Sequence, residues 1–309
     1  MGENKRQHYV NQAYQKRFSP NGRRVFVFDK VLGKSFPDGI RNIAQESHFY
    51  TVPIGADDQH GAPMDFDPLF VEKWLQRMEG DFEKDIQILI DLPLGGKIDS
   101  DTRINLSLWL ALQSLRTRAY RNLVVEMTEQ LVDAINKKAI RLNFGEDAVK
   151  YAPKVTYTED AAALFQSEQF LDGELLGVIG EILFQHIWTV LVNETDHPFY
   201  TSDHPVVLHR HGPGRGVGFA SRGVEIAYPL SSTRLLSLVD REMLGDQADR
   251  FDSRVRTVSA ENVEFYNSLQ VLHSERQVYC EKSDFALAED MLKKNPKLSM
   301  PGRPRIQVD

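Results

Sequence analysis

The chain has 309 residues, of which 41% are hydrophobic, 26% charged and 10% aromatic. That content suffices for one large core or two ordinary ones at roughly 100–200 residues per domain, and it excludes a disordered or collagen-like polymer. The net charge of −7 lacks the basic footprint of a passive nucleic-acid binder, although a local basic groove can still serve a nuclease.

The single cysteine, Cys280, rules out a disulfide within the chain and argues against a cysteine-based zinc site. The polar stretch Met1–Gln7 has no apolar core of a secretory signal. The longest apolar segment, Leu175–Val192, is interrupted by Glu181, Gln185 and His186 and falls short of the roughly 20 apolar residues that cross a bilayer. A cytoplasmic location without a membrane partner is expected.

In chain order, Pro20, Asn21 and Gly22 mark a turn, since proline presets φ and the other two tolerate positive φ. The run Arg24–Asp29 is β-branched and aromatic and reads as a strand, with a second, weaker one over Ser47–Thr51. Gly55–Pro68, rich in Gly, Asp and Pro, reads as a loop. The period then changes: Phe70, Trp74, Met78, Phe82, Ile86 and Leu89 recur every three or four residues, which predicts a helix with one buried face. Asp99–Thr102 offers N-caps for a helix reaching about residue 139, long enough to admit a break. After a connector at Tyr151–Tyr157, helices are expected over about 159–169 and 172–193. Trp74, Trp109 and Trp188 fall on helical apolar faces and read as core.

From Pro198 the pattern is strand-like, with runs at Phe199–Thr201, Val206–Leu208, Val224–Tyr228, Leu235–Val239 and Val278–Cys280, and one helix from Ser259 to about Ser274. Gly212–Gly218 lacks the Gly-Lys-Ser/Thr ending of a phosphate cradle and leads into a strand, so it reads as a hairpin loop. The segment after Lys293 holds three prolines and basic residues and is expected to be disordered. The whole reads as an α+β fold: one domain over residues 1–293, whose helical middle is flanked by N- and C-terminal strands forming a mixed or antiparallel sheet, then a tail over 294–309. A division near residue 196 is the alternative.

Several segments occur in a recognisable order. His8-Tyr9-Val10 with Tyr14 and Phe18, Ile43-Ala44-Gln45-Glu46 with Phe49-Tyr50, Gln113 to Thr117, Phe199 to Val206, Tyr228 to Ser231, and Asn267 together resemble the motifs of a bacterial family of unknown function, DUF4238. The departures are Asn11, where the family usually has proline, and His204, where asparagine is usual. The resemblance spans about residues 7–281 and implies a single intracellular bacterial domain, with no activity to carry over.

Within these motifs, Thr201-Ser202-Asp203-His204-Pro205 is the most informative piece. Asp203 either holds a corner, since Ser and Asp side chains bond nearby backbone N–H groups, or points into a cleft as a base or metal ligand. His8 is either a satisfied buried imidazole or an acid/base group titrating near neutrality. Glu46 amid apolar neighbours calls for a cation, and Arg116 is the natural partner, unless Arg116 binds a substrate phosphate or carboxylate.

His8, Glu46 and Asp203 form an oxygen and nitrogen set suited to Mg²⁺, Mn²⁺ or Zn²⁺, with Arg116, Ser202 and His204 as substrate-binding residues. The expectation is a metal-dependent hydrolase of nuclease type acting in genome conflict or phage defence, with nucleic acid or a nucleotide as partner. The alternative is a non-enzymatic sensor or protein-binding module, whose motif residues would be buried and mutually satisfied. Either allows a homo-oligomer.

Overall fold

The computed structural model describes residues 6–51, 67, 69–214, 216–300 and 303. The first elements are β1 (Arg6–His8), α1 (Gln12–Lys16), β2 (Arg24–Asp29), β3 (Lys34–Gly39) and β4 (Gln45–Ser47). Five helices follow, α2 (Phe70–Asp91), α3 (Ser100–Leu115), α4 (Arg118–Phe144), α5 (Glu159–Leu171) and α6 (Gly173–Gln185). The chain then returns to strands with β5 (Ile187–Asn193), β6 (Thr201–Ser202), β7 (Val207–Arg210), β8 (Val224–Ser231) and β9 (Arg234–Val239). It closes with α7 (Ala248–Phe251), β10 (Arg254–Val258), α8 (Ala260–His273), β11 (Gln277–Cys280) and α9 (Ala286–Lys294).

The fold is α+β, with a helical middle between strand-rich ends as expected. N- and C-terminal strands do share a sheet: β3-β2-β11-β6 is antiparallel throughout. A second sheet, β10-β5-β9-β8-β7, is mixed, its only parallel pair being β10 with β5. Strand β1 pairs separately with β4.

Alternation explains how the layers stack. In β2, Val25 and Val27 face the main core while Phe28 faces a second cluster with Val278, Cys280 and Phe285. One face of the five-stranded sheet presents Ile226, Tyr228, Leu236 and Leu238 to Leu75, Ile86 and Leu110 of α2 and α3. Its other face meets Val263, Tyr266 and Leu269 of α8. Each such fully buried side chain contributes about 1.5–3 kcal/mol. The main core draws on residues from Tyr9 to Tyr279, so both ends and the helical middle share it.

The structure differs from the sequence reading in instructive places. The helix expected over 172–193 ends at Gln185, and Ile187–Asn193 is the strand β5, flanked by strands on both sides. A strand buried on both faces is a continuous apolar run, which periodicity cannot separate from a buried helix. Trp188 therefore lies on a strand, fully buried. Of the weak strand expected over Ser47–Thr51 only Ser47 is a strand residue, at the end of β4; His48 turns the chain at φ 59° and residues 48–50 form a turn. The expected disorder from 294 does not hold through Met300: Lys294 ends α9, Pro296–Ser299 forms a 3₁₀ turn and Leu298 is buried. The loop expected at Gly55–Pro68 lies, apart from Asp67, outside the described residues.

The long helix is indeed broken, at Arg116 and Thr117. Asp99 caps α3 through Thr102 N–H at 2.9 Å, and Thr117 caps α4 through Tyr120 N–H at 3.3 Å. A helix end leaves its last carbonyls without partners. Here the Tyr50 hydroxyl donates to the Arg116 carbonyl at 2.7 Å, and the Gln166 amide donates to the carbonyls of Leu115 and Thr117 at 2.7 and 2.9 Å. Among the described residues no helix is long and apolar enough to cross a membrane.

Candidate functional site

A cleft of about 400 Å³ opens where β1, α1, α2 and the α3–α4 break meet. Helix α2 turns Glu72, Gln76 and Glu79 to it, at i, i+4 and i+7 on one helical face. His8 enters from β1, Asn11 and Gln12 from the start of α1, and Arg6 and Arg41 add positive charge.

Arg116 anchors the base of the cleft. Its Nη2 donates to the His8 carbonyl at 2.8 Å and its Nε to the Tyr50 hydroxyl at 3.3 Å. Nη1 lies 2.7 Å from Glu79 Oε1, an ion-pair distance, although no N–H of Nη1 is aligned for a hydrogen bond. Burial opposes its charge, and Tyr50 and Glu79 outweigh that penalty. The guanidinium is only 1% exposed, so its contacts hold β1 in place.

His8 is pushed down to about 4, chiefly by burial, with the positive charge of Arg116 acting the same way and the carbonyls of Ile40 and Arg41 opposing. Those carbonyls stand near the ring without hydrogen-bond geometry: Nε2 is buried and unpartnered, and Nδ1 is 3.4 Å from the Gln12 amide nitrogen. His8 is therefore neutral at physiological pH. Glu72 is shifted upward by burial, against the pull of Gln76 and Arg116.

The folded state holds the His8 proton more weakly than the unfolded state, so stability is lost as pH falls from 6.5 toward about 4. The loss would reach about 3 kcal/mol for a fully buried group and is smaller for this part-exposed one. Urea unfolding at about pH 7 and about pH 5 should show less difference in His8→Asn than in the parent chain.

The other expected site residues lie elsewhere. The Glu46–Arg116 bridge does not form: Glu46 gives both oxygens to Arg118, whose Nε lies 2.9 Å from Oε1 and whose Nη2 contacts Oε2. Arg118 also holds Glu159 at 2.9 Å. Asp203 is buried, with Oδ1 accepting from Glu275 N–H and Oδ2 from Arg276 and Gln277 N–H, each at 2.7 Å. Ser202 donates to Gln270 Oε1 at 2.7 Å, and His204 Nδ1 meets the Thr117 hydroxyl at 2.7 Å.

The structure thus brings His8 and Arg116 to one cleft, whose lining includes neither Glu46 nor Ser202, Asp203 or His204. Among the described residues no three His, Cys, Asp or Glu side chains are grouped as ligands for one ion. The expected His8–Glu46–Asp203 metal set is not assembled, because Glu46 is committed to Arg118 and Asp203 to backbone N–H groups.

The motif residues act mainly as ties between distant segments. Gln113 donates to the Tyr9 carbonyl at 3.1 Å, Tyr14 meets the Thr201 hydroxyl at 2.7 Å, and Asn267 bonds Tyr200 N–H and the Pro198 carbonyl. Sequence reading missed Glu72, Gln76 and Glu79. Their shared face on a helix read only for its apolar stripe was the available signal.

Comparison with known families matches residues 6–284 to the family described as "Protein of unknown function (DUF4238)". No curated protein and no solved structure matches the chain. The match covers most of the chain, and the protein belongs to the DUF4238 family.

Proposed function

We propose that the protein is a binding module for a mononucleotide-sized ligand, held in the cleft between β1 and α2. The observation that carries this reading is a cleft of about 400 Å³ in which cationic and anionic groups face one space. Small-molecule pockets typically enclose about 300–1,000 Å³. Arg6 and Arg41 offer guanidinium forks suited to a phosphate, while Glu72 and Gln76 offer acceptors to the N–H edge of a base. The reading predicts that titration calorimetry with adenine and guanine mononucleotides finds one site. Arg41→Ala should weaken binding about tenfold or more, the worth of one charge-assisted hydrogen bond. Absence of binding at millimolar nucleotide, or binding indifferent to Arg41→Ala, would sink it.

One observation favours a hydrolytic version of the same reading. His8 lines the cleft and stays neutral at physiological pH, so its Nδ1, which faces the Gln12 amide nitrogen at 3.4 Å, can accept a proton from a ligand or water in the cleft. Mg²⁺ or Mn²⁺ would then arrive on the ligand's phosphates, since Mg²⁺ is commonly held by one or two carboxylates together with substrate phosphates. His8→Asn should lower turnover about 100-fold or more while nucleotide affinity persists. Turnover unchanged in His8→Asn leaves the binding module alone.

A further inference from the structure

A second polar cluster lies away from the cleft, at the edge of the five-stranded sheet. His209 and His211 are two residues apart on and just beyond β7, so both imidazoles stand on one face of the sheet. Glu225 of β8 sits directly across from His209 in the pairing register, and side chains at opposed positions share a face. The two imidazole centroids are 4.7 Å apart, with ring planes at 84°.

The carboxylate is fixed before any ligand arrives. Glu225 is only 6% exposed; its Oε1 accepts from the Ser237 hydroxyl at 2.6 Å and the Tyr266 hydroxyl at 2.7 Å. Its Oε2 lies 2.7 Å from His211 Nε2. That contact assigns the Nε2 proton to the carboxylate side and leaves Nδ1 of His211 as the nitrogen with an unshared lone pair. Phe265 packs edge-on against His209 and at a tilt against His211, which limits the orientations of both rings.

We propose that His209 and His211 form a binding site for a borderline divalent transition metal such as Zn²⁺ or Ni²⁺, with Glu225 orienting His211 from behind. A metal-bound histidine usually donates its other ring N–H to a carboxylate, and that outer contact fixes the tautomer and raises ligand basicity. Two imidazoles bound to one ion at about 2.0–2.1 Å have centroids roughly 5 Å apart at tetrahedral or octahedral angles, close to the spacing already present. Imidazole ligands select Zn²⁺, Ni²⁺ or Cu²⁺ over Mg²⁺ and Ca²⁺, which prefer oxygen. Two protein ligands leave the remaining positions open to water or a further ligand.

The test is calorimetric titration of the untagged full chain with Zn²⁺, Ni²⁺ and Mg²⁺, accompanied by histidine ring NMR. One equivalent of Zn²⁺ or Ni²⁺ should bind and shift the His209 and His211 resonances, with no comparable Mg²⁺ binding. His209→Gln and His211→Gln should each weaken affinity at least tenfold, and Glu225→Gln by about 10–100-fold. The His209 side chain has no hydrogen-bond partner among the described residues and packs against Phe265 and His211, so His209→Gln tests the site while the β7 ladder stays paired, and thermal unfolding verifies this. No Zn²⁺ or Ni²⁺ binding, or binding that survives the double replacement of both histidines, overturns the proposal. The nucleotide titration reports on a different place, so failure of either reading leaves the other standing.

Discussion

Asp203→Ala is expected to lower the free energy of unfolding by about 4 kcal/mol, the cost of removing one partner from a buried charged arrangement. Three backbone N–H groups, those of Glu275, Arg276 and Gln277, lose their acceptor together, and each orphaned buried donor costs about 1–3 kcal/mol. The turn that these N–H groups belong to feeds β11, which joins β2 to β6. Burial shifts the Asp203 carboxyl upward, while the nearby charge of Lys30 and the N–H groups of Gln277 and Arg276 pull it back. Asp203→Asn keeps the shape and one acceptor oxygen but turns an NH₂ toward backbone donors, so a loss of about 2 kcal/mol is expected. Urea denaturation should show the midpoint falling in the order parent, Asn, Ala with little change of slope. An alanine variant as stable as the parent would remove the corner-holding role and return Asp203 to the candidates for chemistry.

How much of this was legible depends on the range over which each residue finds its partner. The α2 stripe, the Asp99 cap and the β2 alternation are local, and the sequence shows all three because their partners lie within a few residues or on one repeating face. Even the break at Arg116 and Thr117 was foreshadowed by helix length, while its stabilisers, Tyr50 and Gln166, come from 66 and about 50 residues away. Pairing of charges was not legible. The chemical grounds for pairing Glu46 with Arg116 apply equally to Arg118, two residues later, and only the tertiary fold decides between them. The same limit hid the cleft: Glu72 and Glu79 look like solvated helix positions until β1 is laid beside them. His209 and Glu225 carry no joint signal either, since their proximity depends on the register of β7 against β8.

Glu79→Gln should cost about 3 kcal/mol although it changes one atom type at a partly exposed position. The expense lies in what remains: Arg116 stays charged and buried, and a buried ion whose partner is removed is destabilising by about 3–5 kcal/mol. The 19% exposure of the Glu79 side chain places the loss at the lower end. Arg116→Met removes the charge and also its donation to the His8 carbonyl, so a comparable loss of about 3 kcal/mol is expected. Because both changes break one interaction, the double variant should fall well short of the sum, by about 2 kcal/mol. Titration of His8 by NMR separates a cleft anchor from a purely structural ion pair. Burial is the main cause of the low His8 pKa and the charge of Arg116 adds to it, so Arg116→Met should raise it part of the way from about 4, and Glu79→Gln, which leaves the cation unscreened, should not raise it. If His8 titrates alike in all three chains, Arg116 does not govern the cleft. If the losses simply add, Glu79 and Arg116 are not acting as a pair.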